Sequence, residues 1–167
     1  MRAMTEANLK AAFAGESQAH MRYLIFADRA EKDGKSNVAR LFRAIAFAEQ
    51  IHATKHYRTL GQVKDTAPNL QVAIEGETYE VEEMYPAYKA VAELEGEKGA
   101  VQATDWALQA EKTHAQLYKK AKGSVEQGAD LELGAVYICD VCGHTMFGSR
   151  PDKCPVCNAG GEHYRQF

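Results

Sequence analysis

The sequence predicts a mainly α fold, four long helices packed in one bundle, followed by a small loop-and-strand unit that binds metal through cysteine. Three observations predict it. Apolar and small residues recur at helical spacing from about Thr5 to Lys122. Glycine or short polar stretches separate the helical runs. All four cysteines fall near the end, as Cys139-x-x-Cys142 and Cys154-x-x-Cys157.

The first helix runs from about Thr5 to Lys32, with Leu9, Ala12, Phe13, Tyr23, Ala27 and Ala30 at inner spacing, and Asp33-Gly34 ends it. Ser36 or Asn37 is placed to cap the second. Its stripe passes through Val38, Leu41, Phe42, Ile45 and Ala48 and continues to Leu60, where Gly61 stops it. A polar linker, Gly61 to Pro68, leads to a third helix capped by Asn69, with inner positions Leu70, Ala73, Glu77, Glu80, Met84, Ala87, Val91 and Leu94. Pro86 lies inside it and predicts a kink. Gly96 separates it from a fourth helix over Glu97 to Lys122, and Gly123 to Gly134 reads as a hinge. Beyond it, Val136-Tyr137-Ile138 and His163-Tyr164-Arg165 read as extended pieces between Cys, Gly and Pro turns. The chain thus divides into a helical domain, residues 1–128, and a cysteine domain, residues 134–167.

At 167 residues there is material for one full core and a small appendix. With 46% hydrophobic and 26% charged residues the chain is not generally disordered, and a net charge of −3 gives no reason to expect nucleic acid or membrane as partner. Met1-Arg2-Ala3-Met4-Thr5-Glu6 runs straight into the first helix, with no apolar run suited to a signal peptide or a span. A cytoplasmic location is expected, and in a reducing compartment close-spaced thiols are metal ligands more often than disulfides.

The anomaly is the residue type on the inner stripes. Glu16 shares a face with Ala12, Phe13 and Tyr23; Glu49 and His52 share one with Ile45 and Ala48; Glu77 and Glu80 take core positions of the third helix; Glu111 and His114 lie with Thr104 and Leu108. A buried carboxylate without a positive partner costs several kcal/mol, and no Lys or Arg falls on these stripes. Two divalent cations would supply the missing charge. Glu49-x-x-His52 and Glu111-x-x-His114 each project two ligands toward one point, and the other helices add acids, an arrangement found in di-iron and di-manganese bundles. Oxygen-rich ligation with one imidazole per metal suits iron or manganese. A single Glu-x-x-His is usually a solvated pair; two, matched by acids on the remaining helices, are not. His20 and His56 fit supporting or solvent-facing roles, and Tyr23 and Tyr85 can pack or donate hydrogen bonds to ligand carboxylates.

Cys139-Asp140-Val141-Cys142-Gly143 and Cys154-Pro155-Val156-Cys157-Asn158 form two knuckles of a tetrahedral S4 cage. Spacing alone serves zinc as readily as iron. Iron is favoured by an aromatic shell expected from Tyr137, Phe147, Tyr164 and Phe167, and by balanced charges that leave no basic face for nucleic acid.

Phe13-Ala14-Gly15-Glu16-Ser17-Gln18-Ala19, Glu49-x-x-His52, the stretch from Gly76-Glu77 to Met84-Tyr85-Pro86, Glu111-x-x-His114 and both knuckles, in that order, resemble rubrerythrins across nearly the whole chain. The resemblance implies a ferritin-like four-helix bundle with a C-terminal rubredoxin-like domain. It implies two irons in a carboxylate-bridged site held by Glu16, Glu49, His52, Glu77, Glu80, Glu111 and His114, with Glu49 and Glu111 bridging. One further iron would sit on Cys139, Cys142, Cys154 and Cys157. The implied activity is reduction of hydrogen peroxide to water, protective under oxidative stress. Its electrons would come from an NAD(P)H-dependent reductase, often through rubredoxin. A ligand exchange known in the family would map to His52 and Glu80. The departures are Asn158, where such knuckles usually have Gly, and His144 after Gly143; both bear on the potential of the S4 site.

Ferroxidase or iron-handling activity is the alternative that the same bundle could support. A manganese catalase fits less well with an appended electron-transfer site, and a zinc-ribbon module leaves the inner acids unexplained. In ferritin-like bundles the second and third helices run parallel, so the linker must travel about 30 Å. Gly61 to Pro68 can do so only when fully extended. A homodimer, domain-swapped or part of a higher oligomer, relieves this.

Overall fold

A computed structural model describes all 167 residues. Five α-helices and three short strands follow in the order α1 (Ala3–Lys32), α2 (Ser36–Thr59), α3 (Thr66–Tyr79), α4 (Tyr85–Glu95), α5 (Lys98–Glu126), β1 (Val136–Cys139), β2 (Thr145–Phe147) and β3 (Tyr164–Gln166). They form two compact units, Met1–Lys64 and Asp65–Phe167. No helix is long and apolar enough to cross a membrane.

The first unit is the hairpin of α1 and α2. Its buried residues are alanines: Ala19, Ala27 and Ala30 on α1, and Ala39, Ala46 and Ala53 on α2. The α2 alanines are seven apart, hence in one line along the helix, and small side chains let two backbones approach closely. Phe13 packs at a tilt against Tyr57 at 4.9 Å, and Phe26 meets Phe42 edge-on at 5.7 Å. The His20 Nδ1–H donates to the Ala46 carbonyl across the hairpin at 2.8 Å, which gives that histidine a structural role. The alanine seam and Phe42 take the contact with α1, so most of the apolar stripe expected on α2 stands open. Val38, Leu41 and Ile45 are exposed, Leu41 to 61%.

Two caps differ from expectation. Ser36 is the first helical residue rather than the cap, and its hydroxyl donates to Glu31 at 3.0 Å. The third helix starts at Thr66 after Asp65, not at Asn69. Pro68 sits in the first turn, where a missing N–H costs nothing. The connection between α2 and α3 is therefore residues 60–65.

In the second unit the predicted third helix is two helices joined by a π-turn, Glu80–Met84. Pro86 explains it: with no N–H, and a ring that would strike the carbonyl four residues back, it forbids the regular bond to Glu82. A widened turn absorbs the fault, and such turns concentrate at functional sites. Lys89 joins α4 to α5 through Asp105 at 2.6 Å. The last helix outruns its expected end by four residues, because Gly123 is tolerated inside it and Lys122 pairs with Glu126 at 2.6 Å.

The C-terminal segment is a three-stranded antiparallel sheet in the order β2-β1-β3. Tyr137 lies opposite Met146 and Gln166, and Cys139 opposite Tyr164. β2 was not anticipated, and His163 ends a 3-10 turn (Gly161–His163) instead of starting β3. The small core comprises Cys139, Cys154 and Tyr164, with Tyr137, Met146 and Val156 against it. Of the four aromatics expected to surround the sulfurs, Phe147 and Phe167 are not in that shell. Phe167 is 67% exposed, with the Arg165 guanidinium over its ring at 5.1 Å.

Candidate metal centres

The four cysteines converge. Their sulfurs lie within 4.8 Å of one another, with Cys139 3.7 Å from Cys157 and Cys142 3.6 Å from Cys154. A disulfide would need about 2.05 Å. A tetrahedron with metal–sulfur bonds of about 2.3 Å has edges of about 3.8 Å, so the cage fits one metal ion.

The two knuckles are built alike. The N–H of Cys139 donates to the His144 carbonyl at 3.0 Å, and that of Cys154 to Ala159 at 2.8 Å. Gly143 and Asn158 each donate back to the first cysteine's carbonyl, at 2.9 and 3.0 Å. Both turns need positive φ, 78° at Gly143 and 61° at Asn158. Asn158 is the one non-glycine residue in that region, as its tolerance of left-handed backbone predicts.

Hydrogen bonds to sulfur favour the thiolate over the thiol. At Cys154 burial works against ionisation. The Tyr164 hydroxyl and the N–H groups of Cys157 and Val156 outweigh it and bring the thiol down to about 6. Burial pushes the Tyr164 phenol up, and its bond to Cys154 adds to this, so it remains a donor. His144 Nδ1 meets the Tyr164 oxygen at 2.7 Å, extending the network outward.

The carboxylates and histidines form two groups, one per unit. In the first unit Glu16, Glu49 and His52 bring ligand atoms within 4.8 Å, with His52 Nδ1 2.8 Å from Glu49 Oε2 and 4.0 Å from Glu16 Oε1. In the second, Glu77, Glu111 and His114 do the same, with His114 Nδ1 2.6 Å from Glu111 Oε2. The i, i+3 spacing places imidazole and carboxylate side by side on α2 and on α5. Neighbouring ligands of one ion with bonds of about 2.1 Å lie about 3 Å apart, so a cation can replace the proton now shared in each pair. These side chains are half-buried rather than sealed, and the His52 side chain is 56% exposed, because each group lies on a helix face open within its own unit.

The second group carries more negative charge than it can hold. Burial, then hydrogen bonding and repulsion from Glu111, then the charge of Glu80, push Glu77 up to about 8. Burial and Glu111 also raise Glu80, with His114 partly offsetting them. Tyr85 is raised by burial and by the charges of Glu80, Glu111 and Glu77, so it stays a phenol beside them. Tyr23 instead packs near Phe42 and Phe26, at 6.1 and 6.4 Å. Glu80, the first residue of the π-turn, stands outside the tight three-ligand group. Oxygen-rich ligands with one imidazole each fit iron or manganese, and a cation would hold Glu77 ionised.

Sequence reasoning missed Thr145. Its hydroxyl lies 2.7 Å from His114 Nε2 and 3.2 Å from the Gly143 carbonyl. Nothing in the spacing pointed to it, because the contact joins α5 to a strand that was itself unforeseen.

Comparison with known proteins agrees with both centres. The rubrerythrin family pattern matches residues 7–122, and the rubredoxin-like domain of rubrerythrin matches residues 137–165. Rubrerythrin-2 of Clostridium acetobutylicum is 40% identical over 99% of this chain and 97% of its own length. Nigerythrin of Nitratidesulfovibrio vulgaris is 36% identical over 90% of this chain and 80% of its own. Among solved structures, nigerythrin in a partially reduced state superposes with a TM-score of 0.57 at 33% identity, covering 98% of this chain and 86% of that one. The fully reduced, all-ferrous state of nigerythrin gives the same score.

Proposed function

The chain belongs to the rubrerythrin family of di-iron oxidoreductases with a rubredoxin-like iron domain, and on that premise we propose that it is a cytoplasmic non-haem peroxidase that reduces hydrogen peroxide to water. One observation carries the reading: two Glu-Glu-His groups, each with imidazole against carboxylate, share a chain with a cage of four sulfurs. The first is a place to hold a metal pair, the second a place to pass single electrons to it.

Glu16, Glu49 and His52 would hold one iron and Glu77, Glu111 and His114 the other, with Glu49 and Glu111 as the acids that would be shared between them. Cys139, Cys142, Cys154 and Cys157 would hold the third. The helical residues 1–128 and the cysteine residues 134–167 act as donor-acceptor partners. Bound in its site, an iron pair supplies two electrons in single steps to an O–O bond. One peroxide, two electrons and two protons give two waters. The carboxylates share the change in charge, and Glu80, one acid more than four cationic charges need, is free to join when the site is oxidised. The exposed His52 is the ligand with room to leave. Tyr85 keeps its proton beside the carboxylates. Electrons arrive from an NAD(P)H-dependent reductase, directly or through rubredoxin.

The two groups must meet, and the chain's reach argues that a second copy supplies one of them. Glu49 lies about 15 Å of helix before the end of α2, and Glu77 about 16 Å after the start of α3. For parallel helices with the two acids level, the connection must therefore run some 30 Å. Residues 60–65 can bridge at most about 25 Å. The exposed apolar residues have the same implication. Ile25, Leu41 and Ile45 in the first unit, and Val91 and Leu94 in the second, Leu94 at 88%, need a cover. A domain-swapped homodimer, alone or within a higher oligomer, provides it.

The test is a coupled assay with the iron-loaded protein, an NAD(P)H-dependent reductase and hydrogen peroxide. One NAD(P)H consumed per peroxide, over many turnovers, supports the reading. Stoichiometric ferrous uptake and oxidation without such turnover would make the protein a ferroxidase instead.

A further inference from the structure

We propose that Thr145 is a positioning residue that fixes His114 for metal binding through Nδ1 and links the sulfur cage to the carboxylate group of the same chain. The idea rests on the di-iron reading above and adds a specific route and a specific residue to it. Thr145 is a buried polar residue, 5% exposed, at the start of β2 opposite Ile138. Its hydroxyl stands between His114 Nε2 at 2.7 Å and the Gly143 carbonyl at 3.2 Å. A hydroxyl has one proton, and a carbonyl only accepts. Both bonds are made together only when the Thr145 O–H donates to Gly143 and the His114 Nε2–H donates to Thr145. That arrangement commits the Nε2 proton to Thr145, so that once a cation displaces the proton shared by Nδ1 and Glu111 Oε2 at 2.6 Å, Nδ1 is the nitrogen that offers the lone pair a metal requires.

The same contact closes a route. Cys142 is joined to Gly143 by a peptide bond, Gly143 accepts from Thr145, and Thr145 accepts from His114. Gly143 is itself held by its N–H to the Cys139 carbonyl at 2.9 Å. It is seated so that a Cβ there would lie 3.8 Å from the Ala110 Cβ, one helical turn before His114 on α5. With iron bound at both places, the sulfur cage and His114 would be joined by a continuous bonded path made of this chain's own groups, along which a single electron could pass from the four-sulfur iron to the iron at His114.

The other histidine has no such partner. No hydrogen bond holds His52 Nε2, and its side chain is 56% exposed against 28% for His114. The His114 ring is held at both nitrogens and the His52 ring at Nδ1 alone, a division that suits a site in which a single histidine leaves and returns.

The experiment compares wild type, Thr145→Val and Thr145→Ser. Val keeps the shape and removes the hydroxyl; Ser keeps the hydroxyl. In zinc-loaded protein, nitrogen-15 NMR reads the His114 Nε2–H and its exchange with water, and a chelator competition reads affinity at the carboxylate centre. The expectation is a sheltered Nε2–H in wild type and Ser, rapid exchange in Val, and a loss of affinity of about tenfold or more in Val alone. In iron-loaded, fully reduced protein, oxidation of the sulfur-bound iron after one equivalent of peroxide should slow in Val and recover in Ser. An unchanged visible spectrum of the sulfur site checks that the knuckles remain intact. Wild-type behaviour of Thr145→Val in either the zinc or the electron-transfer readout overturns the proposal. Absence of multiple turnover with peroxide in wild type, with the zinc results as expected, would strike the peroxidase reading and leave the role of Thr145 standing.

Discussion

Glu77 offers a prediction whose size follows from its surroundings. Burial and two neighbouring carboxylates raise its carboxyl to about 8, so in the metal-free protein it is mostly protonated at neutral pH. A metal ion must displace that proton. The ionised fraction rises from about one in a hundred at pH 6 to half at pH 8, so affinity at the carboxylate centre should climb about 50-fold over that range from Glu77 alone. The sign for folding is opposite. Between about 4.5 and 8 the native metal-free state holds a proton that the unfolded chain has released, so its stability falls as pH rises through that window. The perturbation is Glu77→Gln, which removes the titration and keeps the shape. Zinc affinity of protein whose sulfur site is already filled would be measured by chelator competition at pH 6, 7 and 8. Gln should bind more weakly at each pH, and the ratio of wild type to Gln should grow about 50-fold from pH 6 to 8. A constant ratio would refute the crowding of Glu77, Glu80 and Glu111 on which the metal assignment draws.

The remaining predictions concern assembly and the two iron centres. Leu41→Asp on a free surface would change stability by less than about 0.5 kcal/mol; as part of a covered face it should dissociate the assembly, read by analytical ultracentrifugation as a loss of dimer. Tyr164→Phe removes a hydroxyl donor to the Cys154 sulfur, so the potential of the sulfur-bound iron should fall by about 50 mV in protein-film voltammetry; a potential equal to wild type would show that the bond does not tune it. Glu80→Ala should slow peroxide turnover while leaving iron content near wild type, because Glu80 stands outside the two tight groups; unchanged turnover would end the idea that it joins the oxidised site.

The acid–imidazole pairs were legible because their signal is local. An i, i+3 pair meets whatever the rest of the fold does, and Glu49/His52 and Glu111/His114 are in contact here as spacing alone implies. The knuckles were legible for the same reason, down to the left-handed Asn158. What escaped depends on competition between neighbours. Ser36 and Asn69 looked like caps, but Lys35 and Asp65 hold those places. Pro86 announced a fault in the helix but not that it would be absorbed as a π-turn beginning at Glu80. The inner stripe of α2 was read as core, whereas Ala39, Ala46 and Ala53 make the contact with α1 and leave Leu41 in the open. Periodicity alone does not say whether a stripe meets its own chain or another. The Thr145–His114 bond spans 31 positions and depends on where β2 docks, which no window of sequence records.

Anomalous diffraction at the iron edge from crystals of the iron-loaded protein tests the central claim most directly. Three peaks per chain are predicted. One lies among the four sulfurs, and a close pair lies between Glu16, Glu49 and His52 on one side and Glu77, Glu111 and His114 on the other. A single peak at the sulfurs, with the glutamates turned to solvent, would contradict the account.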